Sequence, residues 1–155
     1  MPEALPAIAK VEDALADVLR AHDPLSGKVV VTAANPDDAQ EPGTIVVFTT
    51  AYGVRQFEEM GQSEHTAIVE FECIEGPAAE GMVSRACQTT IAHVLAAIAA
   101  DRELGGMVQD IQERDVAPCV QNGRDTSAAS LQTVVTFFTP RDDWFTIIGA
   151  GGAEF

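Results

Sequence analysis

The spacing of apolar residues along the chain predicts two helices. Between residues 5 and 20 the apolar side chains recur every three or four positions, at Leu5, Ile8, Val11, Leu15, Val18 and Leu19. This stripe is typical of an amphipathic helix, and we expect Asp23-Pro24 to end it because a residue before proline avoids the helical region. A second stripe runs through residues 81–101, and Gly105-Gly106 follows it, as glycine commonly does after a helix.

Five other segments have the composition or alternation of strands. They are residues 28–32, 44–50, 65–74, 107–116 and 131–139. Residues 44–50 and 131–139 are rich in β-branched and aromatic side chains, which favour strands. In residues 65–74, apolar side chains alternate with Glu70 and Glu72, a two-residue period that indicates a strand with one wet face.

The remaining segments predict loops and a tail. Residues 51–64 carry glycines and charges and are expected to form a long irregular loop, residues 118–130 a mobile loop, and residues 149–155 a flexible glycine-rich tail. The element order predicts one α+β domain over residues 1–155, with a single mostly antiparallel sheet of about five strands and two helices packed on one face. The other face is then either solvated or an assembly surface.

Composition narrows the possible functions. The chain has 155 residues with 24 acidic and 9 basic side chains, a net charge of −15, and 46% hydrophobic residues, which is enough for a globular core. The scattered Lys and Arg form no basic stripe, which argues against a protein that grips nucleic acid. No apolar run approaches the roughly 20 residues of a membrane span. Because the start lacks the pattern of a signal peptide, we expect neither export nor anchoring.

The polar residues form no recognisable catalytic or metal-binding motif. The three cysteines have no Cys-x-x-Cys spacing, and we expect Cys73 and Cys87 to be buried. His65 is expected at a solvent-exposed strand end, and His93 is expected to be structural. Glu70 and Glu72 lie roughly 7 Å apart on one strand face, which suits a solvated face better than an acid/base pair. The sequence therefore predicts no catalytic, cofactor-binding or metal-binding residue.

Two segments carry the side chains that are enriched at protein interfaces. Aromatic, Met and Arg residues are typical of interface cores, and the candidate assembly residues are Tyr52, Arg55, Phe57, Met60, Arg141 and Trp144. A competing interpretation places Phe57 and Met60 over the domain's own core. A second one makes Trp144 a buried anchor for the turn after the last strand.

The chain resembles the tail terminator family of long-tailed bacteriophages, also described as minor tail protein U-like or tail completion proteins. The resemblance covers nearly the whole chain. It lies in the opening helix that ends Leu19-Arg-Ala-His-Asp-Pro, the strands of residues 44–74, the Ala-rich helix of residues 85–101 that ends in Leu104-Gly-Gly, and the last strand followed by Pro140-Arg-Asp-Asp-Trp.

This resemblance implies a structural role without catalysis and without a cofactor. Such proteins are small α+β subunits that close into a hexameric ring on the tail tube, stop its polymerisation and offer a surface to the head-to-tail connector. The expected partners are therefore copies of the chain, tail tube protein and connector protein, with DNA passing through the ring unbound and with no membrane. The expected location is the tail or neck of a virion, prophage particle or gene transfer agent, and the host cytoplasm during assembly.

Three other hypotheses stay open on the sequence. The chain could be another neck or head-completion protein of the same particle, or a ferredoxin-like regulatory module that binds a small ligand. It could also be an enzyme that uses Glu70, Glu72 and His93.

Overall fold

The computed structural model describes residues 3–32, 41–76, 85–122 and 126–155. Two helices, α1 (Ala7–Ala21) and α2 (Arg85–Ala99), accompany five strands. The strands are β1 (Val29–Thr32), β2 (Thr44–Phe57), β3 (Gln62–Glu75), β4 (Asp110–Asn122) and β5 (Thr126–Pro140). Short 3₁₀ turns lie at Asp23–Leu25, Glu58–Met60 and Ala150–Gly152.

The strands form one sheet in the order β1-β2-β3-β5-β4. The short strand β1 runs parallel to β2, and every other neighbouring pair is antiparallel. The predicted α+β class is confirmed, and so is the order of the elements along the chain. Helix α1 lies within one residue or two of its predicted bounds, whereas the predicted start of the second helix, residues 81–84, lies outside the described residues.

Both helices pack on one face of the sheet and enclose the core. Helix α1 buries Val11 and Leu15, helix α2 buries Val94 and Ile98, and Phe71 of β3 lies in the same cluster. The odd-numbered residues of β3 and β5 face this core, so their alternation matches the predicted two-residue period. We call the opposite side, which neither described helix covers, the helix-free face.

The two predicted buried cysteines are confirmed. Cys73 of β3 and Cys87 of α2 are both fully buried within this core. Burial, with the nearby Cys87 thiol, raises the pKa of Cys73 to about 12. Cys73 therefore stays protonated at neutral pH and packs as a small apolar side chain.

The predicted loop over residues 51–64 is wrong, because most of it is strand. β2 continues from Ala51 to Phe57 and pairs with β3 from Gln62 onwards, after a bulge at Thr50. The turn between them is the 3₁₀ segment Glu58–Met60, closed by Gly61 at φ +62°. Residues 51–56 are exposed on both faces, so they show no apolar alternation from which a strand could be recognised.

The predicted mobile loop over residues 118–130 is also largely strand. β4 extends to Asn122 and β5 begins at Thr126, which leaves residues 123–125 outside the described part of the chain. Ser127 is buried, pairs with Glu75 of β3, and donates a 2.6 Å hydrogen bond to the Gly76 carbonyl. Its neighbours are small alanine, serine and threonine residues that resemble a loop in composition, but tertiary pairing on both sides holds them in the sheet.

The predicted flexible tail, residues 149–155, folds back against the sheet instead. Ile148 forms antiparallel bridges with both Phe138 and Glu154. The backbone of Phe155 exchanges two hydrogen bonds with that of Ile147, at 3.2 and 3.0 Å, and Lys10 Nζ donates to the Phe155 carbonyl at 3.1 Å. Glycines permit the tight turn at Ala150–Gly152, where Gly151 has φ +68°.

Candidate assembly surface

The six candidate assembly residues meet at one end of the sheet. This end, which we call the distal end, comprises residues 51–65 of the β2–β3 hairpin and residues 137–145 at the end of β5. Pairing of Gln62 with Pro140 sets the two segments side by side, and the Arg141 amide donates a 2.9 Å hydrogen bond to the Gly61 carbonyl. Residues from two distant parts of the sequence therefore share one end of the sheet, some on its helix side and some on its helix-free side.

On the helix side of the distal end, the ring of His65 is the centre of an aromatic cluster. It stacks on Phe137 with ring centroids 4.7 Å apart, and Trp144 meets it edge-on at 5.0 Å. Its Nε2 lies 2.8 Å from the Thr139 hydroxyl, and its Nδ1 is hydrogen-bonded to the Tyr52 hydroxyl. Both ring nitrogens therefore have a partner.

The expected exposure of His65 is wrong, because the side chain is fully buried. Burial lowers the pKa of His65 and raises that of Tyr52 to about 12, so both side chains are uncharged near neutral pH. A general base needs a lone pair that a substrate can reach, and this imidazole offers none. His65 instead holds Tyr52 and Trp144 in place at the surface.

The two-residue period of β3 could have predicted that His65 is buried. His65 has the same parity as Ala67, Val69, Phe71 and Cys73, the apolar residues that alternate with Glu70 and Glu72 along this strand. A polar residue at an apolar position of such a pattern is expected to be buried with hydrogen-bond partners. The identity of those partners, Tyr52 and Thr139, depends on strand register and could not be read from the period alone.

On the helix-free side of the distal end, an arginine and two phenylalanines form a second cluster. The guanidinium carbon of Arg55 lies 4.4 Å from the centroid of the Phe57 ring, and Phe57 lies 6.1 Å from Phe138. Such a cation–π contact contributes roughly 0.5–1 kcal/mol at an exposed site. Arg141 adds a long contact of 3.8 Å to Glu58, with both side chains largely exposed, which contributes little to stability.

A shallow groove of about 370 Å³ opens beside this second cluster. It is lined by apolar side chains and by polar ones from β3 and the chain before β4, namely Phe57, Met60, Phe138, Ile148, Gln62 and Gln109. Met60 is 66% exposed and Trp144 is 45% exposed. Met60 therefore does not cover the core, and Trp144 is a partly exposed anchor instead of a buried one.

Five carboxylates of β3 and β4 lie on the helix-free face of the sheet, among a larger number of apolar and neutral side chains. Arg55 also lies on this face, opposite Glu64. We call the set of five carboxylates the acidic face, and its members are Glu64, Glu70, Glu72, Asp110 and Asp115. Glu70 and Glu72 pair across to Gln132 and Ser130 of β5, so neither faces a cation there. Burial, and secondarily the charge of Glu70, raises the pKa of Glu72.

The three residues of the enzyme hypothesis do not converge. Glu70 and Glu72 point to the helix-free face, whereas His93 belongs to α2 on the other side of the sheet. His93 lines a separate cavity of about 390 Å³ with Lys28, Arg85 and Thr90. Among the described residues, no group of three His, Cys, Asp or Glu side chains lies close enough to hold a metal ion.

Comparison with known proteins adds no family assignment, since no family model matches the chain and no curated protein is significantly similar to it. Among the described residues, neither helix has both the length and the apolar character that a bilayer crossing requires.

Proposed function

We propose that this chain is a structural subunit of a virion tail, similar to a tail terminator, that assembles into a ring on the end of the tail tube. The ring ends tube polymerisation and presents a joining surface to the head-to-tail connector. The basis of the proposal is the resemblance in element order together with the surfaces described above. The proposed partners are further copies of the chain, in a hexamer, and the tube and connector proteins.

The acidic face is the observation that carries the proposal. A DNA channel must let the phosphate backbone slide without sticking, and a wall of carboxylates does this by repulsion. The sheet offers net negative charge of this kind, because α1 and α2 occupy one face while the other carries five carboxylates and Arg55 among apolar and neutral side chains. In the proposed ring the helices lie outside and the acidic face lines the channel.

The distal end supplies a surface for axial contacts. Met60 and Trp144 are exposed there by 66% and 45%, and the exposed Arg141 lies at the same end. Exposed aromatic, Met and Arg side chains on a rigid frame are typical of binding hot spots. Because two strands and the buried His65 hold this end in place, little ordering is needed on docking.

Electron microscopy tests the proposal directly. The purified chain would be imaged alone and with tail tubes built from the tube protein of the same genome. We expect six-membered rings with a central channel, and tubes that stop growing when the chain is added. Co-purification with a portal instead of tubes would assign the chain to the head side. Turnover of a metabolite, or a rise in melting temperature with a small ligand, would overturn the structural role.

A further inference from the structure

Among the described residues, the outer edge of β2 has no neighbouring strand over a long stretch. β1 pairs only with Thr44–Val47 of β2, and no other described strand lies along the outer side of β2. Residues 51–56 are all exposed, and from Ala51 to Phe57 the pairing with β3 is regular. Natural proteins protect free edges with charges, prolines and bulges, yet Arg55 is the single charge in this stretch.

The opposite edge, β4, has a different character. Residues 112–117 are exposed, and this strand contains a bulge after Glu113. Asp110 and Asp115 lie on the helix-free face of β4, where neither forms an ion pair within the described residues. Val116, on the other face, is 52% exposed. The β2 edge thus carries aromatic side chains and one arginine, whereas the β4 edge is net acidic, with Asp110, Glu113 and Asp115 beside Arg114. Of these, Glu113 already pairs with Arg102.

The strand directions allow these two edges to meet. β2, β3, β5 and β4 alternate in direction, so β4 runs antiparallel to β2. Rotation about the ring axis does not change whether a strand runs up or down that axis. It therefore brings β4 of one copy antiparallel to β2 of the next. Two unlike, complementary edges related by a rotation are what a closed ring requires.

The register across the sheet shows which residues would face one another. Gly53 is level with Thr66 of β3, Thr136 of β5 and Asp110 of β4. In an unstaggered contact, the part of β4 from Val116 to Val120 would therefore lie level with Thr44–Val47, where β1 already pairs. In closed barrels the strands tilt by about 35–45° to the barrel axis. From β2 of one copy to β2 of the next there are four strand spacings of about 4.8 Å, so such a tilt shifts neighbouring copies along the strands by roughly 13–19 Å. A shift of about four residues, roughly 13 Å, clears β1 and sets Ala51–Phe57 against residues 110–116.

We propose that copies of the chain join by strand pairing between residues 51–57 of β2 and residues 110–116 of β4 of the next copy. In this register Arg55 lies on the same face as Asp110 and Asp115 and between them. Tyr52 and Val54 meet Val116 on the other face. This contact rests on the proposed ring and gives it a defined subunit interface, with the five-stranded sheets joined into one closed belt.

Charge reversal with a matched control tests the contact. Assembly would be followed by sedimentation over a concentration series, alone and with tail tubes, and amide exchange would report on residues 51–57. Arg55→Glu should raise the midpoint concentration for assembly tenfold or more. Adding Asp110→Arg and Asp115→Arg should restore it. Arg85→Glu makes the same change in net charge at an exposed position of α2 and should leave assembly unchanged.

The outcomes separate this contact from the ring itself. Slowed exchange at residues 51–57 on assembly, with loss and rescue by the charge variants, supports the contact. Rings that form equally well with Arg55→Glu, or in which residues 51–57 exchange as in the monomer, overturn the contact and leave the ring intact. A wild-type chain that stays monomeric at every concentration, with tubes or without, overturns both.

Discussion

At the scale of single residues, His65 shows how one buried imidazole fixes a surface. Its two ring nitrogens bind Tyr52 and Thr139, and its faces contact Phe137 and Trp144. In the neutral form one nitrogen donates and the other accepts, so both neighbours are satisfied without a buried charge. Protonation would turn the accepting nitrogen into a donor and place an uncompensated charge inside the cluster.

The stability of the fold should therefore fall in mild acid. Burial lowers the pKa of His65 in the folded chain, so below about pH 6.5 the unfolded chain takes up the proton first. The contribution of this residue is complete above that pH and is lost as the pH falls towards the lowered pKa. Urea unfolding between pH 8 and pH 5 measures it as a decline in the free energy of unfolding.

His65→Gln isolates that contribution from other titrating groups. The variant should lose about 1–3 kcal/mol at pH 8 because buried hydrogen bonds are broken, and its stability should decline less steeply below pH 6.5. His93→Gln removes a histidine from α2, away from this cluster, and is the matched control. An equal slope in the wild type and His65→Gln would show that His65 does not titrate on unfolding.

The titration of Glu72 changes the free energy of unfolding with pH in the opposite direction to that of His65. The pKa of Glu72 is raised, first by burial and then by Glu70, so its ionisation opposes folding as the pH rises through that pKa. We expect Glu72→Gln to increase the free energy of unfolding at pH 7 by roughly 0.5 kcal/mol, since the site is half-exposed and screened. Glu59→Gln at the exposed turn serves as the control. A less stable Glu72→Gln variant would mean that the carboxylate has a favourable partner.

At the scale of elements, burial decides what could be predicted from the sequence. Helix α1 has one face against the core, so its stripe defined it almost to the residue. The distal half of β2 has no buried face, so its residues carry no period and resemble a loop. Residues 126–130 are small alanine, serine and threonine residues, and their pairing with β3 and β4 makes them strand.

The candidate assembly surface, too, could be predicted only in part from the sequence. Its residue types could be recognised from the sequence, because Tyr, Met, Arg and Trp are enriched at interface cores. The contact between the hairpin and Arg141 depends on the register of β3 with β5, and no local period encodes a register between distant segments. The acidic face was visible in part, as the alternating Glu70 and Glu72.

The returning tail gives a test at this scale. A Cβ built at Gly149 would lie 2.4 Å from the Phe155 ring and 2.5 Å from the Gly106 carbonyl oxygen. Since backbone cannot move aside as a side chain can, Gly149→Ala should cost about 1–3 kcal/mol by overpacking and lower the melting temperature. Gly27→Ala, with nothing within 4 Å of its Cβ position, should be nearly neutral. A neutral Gly149→Ala would show that the tail does not pack there in solution.

At the scale of the whole molecule, charge and architecture support the same arrangement. The chain carries a net charge of −15, and self-repulsion of that size opposes association unless favourable contacts offset it. In the proposed ring, Arg55 and the carboxylates of β4 supply such a contact at the subunit boundary. Glu70 and Glu72, in the middle of the sheet, have no cation opposite them and keep the channel wall negative.

The channel role makes a prediction that ring formation alone does not. Wild-type rings should not retain duplex DNA, because each phosphate meets carboxylates. Glu70→Lys with Glu72→Lys leaves both edges untouched, so rings should still form, but the channel wall becomes less acidic and gains cations. We expect these rings to bind DNA, with an affinity that falls steeply as salt rises, since bound cations release counterions from the phosphates.

A matched variant separates channel charge from net charge. Glu59→Lys with Glu103→Lys changes the total by the same amount at exposed positions away from the acidic face, and it should leave DNA unbound in a filter-retention or mobility assay. If both double variants bind DNA equally, the acidic face does not line the channel, and the subunit must be oriented differently in the ring. If the Glu70 and Glu72 variant forms rings that ignore DNA at low salt, repulsion by this face is not what keeps DNA free to pass.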